Sequence, residues 1–175
     1  MLIIAITSKT QYTTRAVIPV PPPPPGPGIP PPPPPPVAPV MNPFYLNYKN
    51  TRFFRIVKNL GIYGGDNIKD DGTSGESIYG MVFRDENFNV MHDSRYLLTA
   101  TRPVNTPHTN NSQFMITLAP LPWLDYRYQV FGRVRSTSRS VIDYMEFFAG
   151  TTDWDKKEEP FYEIRIKKCS LTQIT

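Results

Sequence analysis

The chain holds a single cysteine, Cys169, so no disulfide can form within it. Its fold must rest on an apolar core. A reducing, intracellular setting fits, the cytoplasm in the simplest case, with nucleus, cilium and mitochondrion left open. Histidine is almost as scarce. His92 and His108 stand far apart and share no metal-ligand spacing with Cys169, so neither a metal nor another cofactor is expected. No glycine-rich loop opens a helix in a phosphate-binding pattern. No run approaches the roughly 20 apolar residues of a membrane span. Residues 2–6 are apolar but too few for a signal-peptide core, and no basic residue precedes them.

Acidic residues are missing altogether before Asp66, while Lys9, Arg15, Lys49, Arg52, Arg55 and Lys58 lie in that stretch. The remainder carries 13 basic against 15 acidic residues, so the net charge of +4 arises in the leading part alone. A nucleic-acid partner would have only that tail to bind, and none is expected.

Proline is the residue in excess. Of 21 prolines, 16 fall between Pro19 and Pro43. Proline fixes φ and lacks an amide donor, so residues 19–43 can be neither helix nor sheet interior. As polyproline II they would span roughly 75 Å. Such a tract is either a semi-rigid spacer or a ligand for a proline-reading partner of SH3, WW or profilin-like type. The chain thus divides into an N-terminal segment, 1–18, a polyproline linker, 19–43, and a folded domain, 44–175.

Beyond the tract the signals are mostly β. The runs Phe53-Phe54-Arg55-Ile56-Val57, Gln113-Phe114-Met115-Ile116-Thr117 and Gln129-Val130-Phe131-Gly132-Arg133-Val134 read as strands. A last strand is expected where Tyr162, Ile164 and Ile166 alternate with Glu163, Arg165 and Lys167. One helix is marked by Val141, Tyr144, Met145 and Phe148 on one face. Ser140 and Asp143 would form its capping box, and Gly150 its stop. Many turns, several strands and few crossovers point to an antiparallel barrel. Arg133, Arg135 and Arg139 read as a solvated hairpin end or as a contact for an acidic partner.

Several motifs then occur in order: Gly64-Gly65-Asp66; Asp71-Gly72-Thr73-Ser74-Gly75-Glu76-Ser77-Ile78-Tyr79-Gly80; Phe83; Asp85-Glu86-Asn87-Phe88; Asn111-Ser112-Gln113-Phe114; Trp123-Leu124-Asp125; Val130-Phe131-Gly132. In this order and spacing they resemble the central signature of cyclophilins, over about residues 52–169. The resemblance implies a mainly β fold, an eight-stranded antiparallel barrel closed by one or two helices. It also implies an activity, cis/trans isomerisation of X–Pro peptide bonds, with a proline-containing peptide or protein as partner.

Arg55 matches the family's catalytic arginine, and Gln113 the glutamine that holds the substrate backbone beside it. Trp123 and Leu124 match the Trp-Leu pair at the pocket wall. Other positions have drifted. Phe54 stands for the family's histidine before the arginine, and Leu60-Gly61 for its Phe-Met pair. Tyr63 replaces a glutamine, and Thr101-Arg102 the Ala-Asn segment that receives the peptide backbone. Met115 replaces the phenylalanine that floors the proline pocket, and Tyr128 the histidine at its rim. Extra length near Pro107 and His108 is a further difference. The substrate-binding set is therefore Gln113, Leu60, Met115, Trp123, Leu124 and Tyr128 around Arg55. Flexible or missing surface replaces a rigid aromatic pocket, while the cation survives.

Family members also begin with two strands and a helix, where this chain has its proline tract. A barrel lacking those strands has open edges. Residues 2–6 fold back on it, or another polypeptide fills it, or the natural chain starts elsewhere. Two functions follow: a prolyl isomerase of reduced activity, or a catalytically degenerate cyclophilin-like subunit that docks in a larger assembly.

Overall fold

The computed structural model describes residues 6–7, 47–102, 106–149 and 158–169. The proline tract, residues 2–5 and Gly150 lie outside the described residues. Six strands are seen: β1 Ile6–Thr7, β2 Phe53–Val57, β3 Gly61–Gly64, β4 Leu97–Ala100, β5 Phe114–Thr117 and β6 Val130–Val134. They form one antiparallel sheet in the order β1-β6-β4-β5-β3-β2. One helix, α1 Arg139–Phe147, packs Ile142 and Met145 against it. Among the described residues no helix is long and apolar enough to cross a membrane.

The core is built from Phe53 and Ile56 of β2, Ile62, Leu98, Phe114, Ile116, Leu118 and Val134, with the helix residues and Ile166. In β2 the two buried side chains are three apart, where a regular strand would bury every second one. The register shifts between Phe53 and Arg55, so Phe54 is the extra residue of a bulge. The bulge lets Phe53 and Ile56 both face inward and leaves Arg55 half-buried on the opposite side. β4 and β5 are buried along their whole length, as in strands covered on both faces.

The last expected strand forms only in part. A bridge joins Arg52 and Arg165. Around it, Phe53 N–H donates to Ile164 O at 2.9 Å and Ile166 N–H to Thr51 O at 2.9 Å. Ile166 is buried and Ile164 packs on the core, but Tyr162 is exposed and rests edge-on against the Phe148 ring. The alternation is therefore real at two of its three apolar positions. At the other edge, Ile6 and Thr7 of β1 pair with Val134 and Arg133 of β6, so the leading segment does reach the open edge. Among the described residues it covers only the end of β6, and the sheet is unclosed. A cavity of about 470 Å³ has Tyr79, Phe83, Phe114, Phe131 and Cys169 in its lining.

The helix starts one residue before Ser140. Ser138 is the N-cap and makes no side-chain capping bond. Asp143 is drawn instead to Arg95, 3.0 Å away, and accepts from the Tyr96 hydroxyl at 2.8 Å. Tertiary partners have taken the side chain that a local capping box would have used. Of the basic run, Arg139 stacks over the Tyr96 ring at 5.0 Å, while Arg133 and Arg135 are exposed.

Candidate active site

A cavity of about 670 Å³ opens on the face that the β2 bulge turns outward. It brings together every residue singled out from the sequence: Arg55, Leu60, Gln113, Met115, Trp123, Leu124 and Tyr128. These come from four separate stretches, and the sheet register places them. Arg55 lies directly opposite Tyr63, which in turn lies opposite Met115. The Arg55 guanidinium accordingly sits 4.7 Å from the centre of the Tyr63 ring. Burial pushes the Tyr63 phenol up, and the neighbouring Arg55 charge works against that shift.

Gln113, next to β5, is buried. Its amide nitrogen donates to Gly72 O at 3.0 Å and to Ser74 O at 2.5 Å. Both carbonyls belong to the loop 66–74, folded around the buried carboxylate of Asp66. Gly72 has φ +86°, and a Cβ there would meet the Phe54 ring at 2.6 Å, so only glycine lets the bulged residue pack on this loop. Gln113 is thus held from behind through its amide nitrogen.

The far wall is a 3-10 turn, Pro122–Leu124, that presents Trp123 and Leu124. Asp125 pins it. The backbone N–H of His92 donates to Asp125 Oδ1 at 2.8 Å, and His92 Nδ1 lies 2.9 Å from the same oxygen. These bonds from His92, backbone then ring, hold the Asp125 carboxyl below its usual range. The other ring nitrogen of His92 meets Thr99 Oγ1 at 3.0 Å. His92 is a buried bracket behind the wall. Among the described residues no cluster of side chains could hold a metal ion.

Arg102 does not lie loose across the groove. Its Nη2 is 2.7 Å from Asp85 Oδ1, with both side chains 3% exposed, and it also donates to Arg127 O at 2.6 Å. Asp85 is further bonded by Asn110 Nδ2 at 2.8 Å and by the backbone of His108, so the extra length near His108 serves this network. Burial alone would raise the Asp85 carboxyl; the bonds from Asn110, His108 and Arg102 outweigh it and hold it low. Beside Arg102, the Thr101 hydroxyl is buried, lines the cavity and has no hydrogen-bond partner among the described residues. A bare buried hydroxyl is costly unless a ligand completes it.

Sequence reasoning missed the acidic side of the cavity. Asp71, Glu158 and Glu159 also line it. Glu158 Oε2 lies 2.5 Å from both Nε and Nη2 of Arg55. The two residues are 103 positions apart, and no local pattern announces the pair. It also read Gly61 as missing surface. Met115 is buried, and its sulfur leans over Gly61, where a Cβ would come within 2.5 Å of it. The methionine fills the space the glycine leaves. Gly61→Ala should therefore push Met115 towards the cavity, costing about 1–3 kcal/mol of stability. Thermal unfolding of the full chain checks this; an unchanged melt would show that the thioether swings aside freely.

Residues 40–171 match the family model described as cyclophilin type peptidyl-prolyl cis-trans isomerase/CLD. The chain belongs to the cyclophilin family. It is 41% identical over 132 residues to the NK-tumor recognition protein of Mus musculus, covering 74% of this chain and 9% of that protein. It is 39% identical over 128 residues to peptidyl-prolyl cis-trans isomerase 9 of Caenorhabditis elegans, 73% of this chain and 39% of that one. The chain thus spans only a minor part of these curated relatives. Among solved structures, the cyclophilin of Cryptosporidium parvum superposes with a TM-score of 0.62 at 37% identity, over 69% of this chain and 72% of that one. That cyclophilin has also been solved in the presence of the dipeptide Ala-Pro, with the same TM-score and identity. The antiparallel sheet and single helix described above are this cyclophilin domain, unclosed among the described residues.

Proposed function

We propose that this cyclophilin domain binds X–Pro segments in the 670 Å³ cavity and isomerises them with reduced efficiency. The observation that carries the reading is the convergence of Arg55, Gln113 and the Trp123–Leu124 wall on that one cavity. Prolyl rotation breaks no bond. Its barrier, about 20 kcal/mol, comes from the partial double bond of the amide. In the twisted state the proline nitrogen turns pyramidal and can accept a hydrogen bond. A fixed cation aimed at it binds that state better than the planar one. Arg55 is the group for this role. Gln113 Oε1 and the bare Thr101 hydroxyl offer polar contacts to the peptide backbone, while Leu60, Met115, Trp123 and Leu124 receive the ring.

The reduction follows from the same geometry. Part of the donor set of Arg55 is already given to Glu158, and Met115 makes an adaptable floor in place of a rigid one. The partner is a proline-containing peptide or protein. A proline-reading domain on residues 19–43 and an intracellular location remain part of this proposal. A second reading, a catalytically degenerate subunit of a larger assembly, is favoured by the sheet's being unclosed, among the described residues, between the β1–β6 edge and residues 164–166. An exchange measurement on an Ala-Pro peptide separates the two. Isomerisation above the uncatalysed rate supports the enzyme; bound peptide with no added exchange supports the docking subunit.

A further inference from the structure

Glu158 stands where an X–Pro segment would need Arg55. Its backbone carbonyl accepts the N–H of Ile56 at 3.0 Å, which fixes the residue alongside β2. Its φ is +58°, a left-handed conformation that residues other than glycine rarely adopt. The chain accepts that local cost at the point where the carboxylate reaches both Nε and Nη2 of Arg55 at 2.5 Å. A counter-ion this close lowers the positive potential that a pyramidal proline nitrogen would feel. It also occupies donors that the twisted amide requires.

The geometry points to Glu158 as a competitor built into the site: it sets resting activity low and selects which X–Pro segments enter. The inference rests on the reading of the cavity as an X–Pro site. A neutral segment must open the Arg55–Glu158 pair and leave the carboxylate without a partner. A segment with lysine or arginine beside its proline supplies a replacement cation, so it opens the pair at lower cost. Glu159 and Asp71 line the same cavity and add to the acidic field. Thr73 N–H and Oγ1 both donate to Asp71 Oδ1, at 2.8 and 2.6 Å, so that carboxylate stays charged. The substrate class assigned is therefore the basic X–Pro segment.

Glu158→Gln tests this in the full chain, because the amide keeps the shape and the backbone bond to Ile56. Two peptides serve as probes, one with alanine before proline and one with lysine. kcat/KM by exchange spectroscopy and Kd by titration are both read. The parent should favour the lysine peptide. The variant should gain roughly two- to fivefold on the alanine peptide, the factor expected when a partly exposed ion pair no longer has to open. Its preference for lysine should shrink. Raising salt from ~20 mM to ~0.5 M should speed the parent on the alanine peptide and leave the variant nearly flat, since salt screens the exposed pair. A Glu158→Gln protein no better than the parent on the alanine peptide, in rate and in affinity, overturns the inference. So does a lysine preference that survives the change intact. Arg55→Ala in the same series judges the underlying reading separately: loss of peptide binding or turnover there keeps the site, whatever Glu158 does.

Discussion

Replacing Arg55 with alanine should remove on the order of a hundred- to a thousandfold of any X–Pro turnover and leave the domain folded. The first half follows from what the reaction demands. Rotation about the amide creates one new acceptor, the pyramidal nitrogen, and Arg55 is a cation that lines the cavity with Gln113, whereas Arg102, also in the lining, is committed to Asp85. A charged hydrogen bond made in the transition state and absent in the ground state appears wholly in kcat/KM, so its removal is felt in full. The second half follows from where the side chain sits. Arg55 points out of the core at the bulge, with its side chain 38% exposed, and its partner Glu158 is 33% exposed. Such a pair contributes about 1 kcal/mol at most. Phe53 and Ile56, which hold β2 to the core, are untouched. Arg55→Lys should recover little, because a point charge cannot reproduce the planar fork. Exchange spectroscopy and a thermal melt, run on parent and variant together, read both halves. An alanine variant as fast as the parent would mean that the cavity works without this cation.

Why some of this was legible in the sequence and some was not has a physical basis. Arg55, Gln113, Trp123 and Leu124 lie in short ordered motifs, so a resemblance could place them, and the sheet register then brings them to one cavity. Strands with a regular signature, such as residues 53–57 and 114–117, were visible from their β-branched and aromatic content. β3 was not, because Gly61 and Gly64 make it look like a loop; it is a strand because β2 and β5 pair with it on either side. β4 was missed because Leu97-Leu98-Thr99-Ala100 has little of the β-branched and aromatic content that marked β5, a strand equally buried throughout. The bulge at Phe54, the compensation of Gly61 by Met115 and the contact of Glu158 with Arg55 are products of packing between distant segments. No single window of sequence contains them.

Asp66 should prove the most costly single carboxylate to remove. It is fully buried, and the loop 66–74 wraps around it. Oδ1 accepts from Ile68 N–H and Lys69 N–H, each at 3.1 Å, and from Ser74 Oγ at 2.6 Å. Oδ2 accepts from the N–H groups of Asp71, Gly72 and Ser74 at 3.3, 2.9 and 3.2 Å. Burial alone would raise this carboxyl, but the bonds from Ser74, Ile68 and Lys69 outweigh it and hold the group far below the usual carboxylate range. Asp66→Ala strands several donors at once and should cost about 3–4 kcal/mol, or roughly 10 °C in Tm. The sign of the pH effect is fixed by the direction of the shift. A group whose pKa is lowered on folding stabilises fully above its unfolded value, ~3.9. That contribution fades as pH falls from there towards the folded value. The gap in stability between parent and Asp66→Asn should therefore be widest near neutrality and narrow below about pH 4. Function should fall with it, because the same loop carries the Gly72 and Ser74 carbonyls that hold Gln113. Urea melts of both proteins from pH 7 down to ~3, with peptide titration at pH 7, measure the two effects. A variant as stable as the parent at pH 7, or a gap that stays constant into acid, would show that backbone turns alone hold the loop and that the carboxylate is incidental to it.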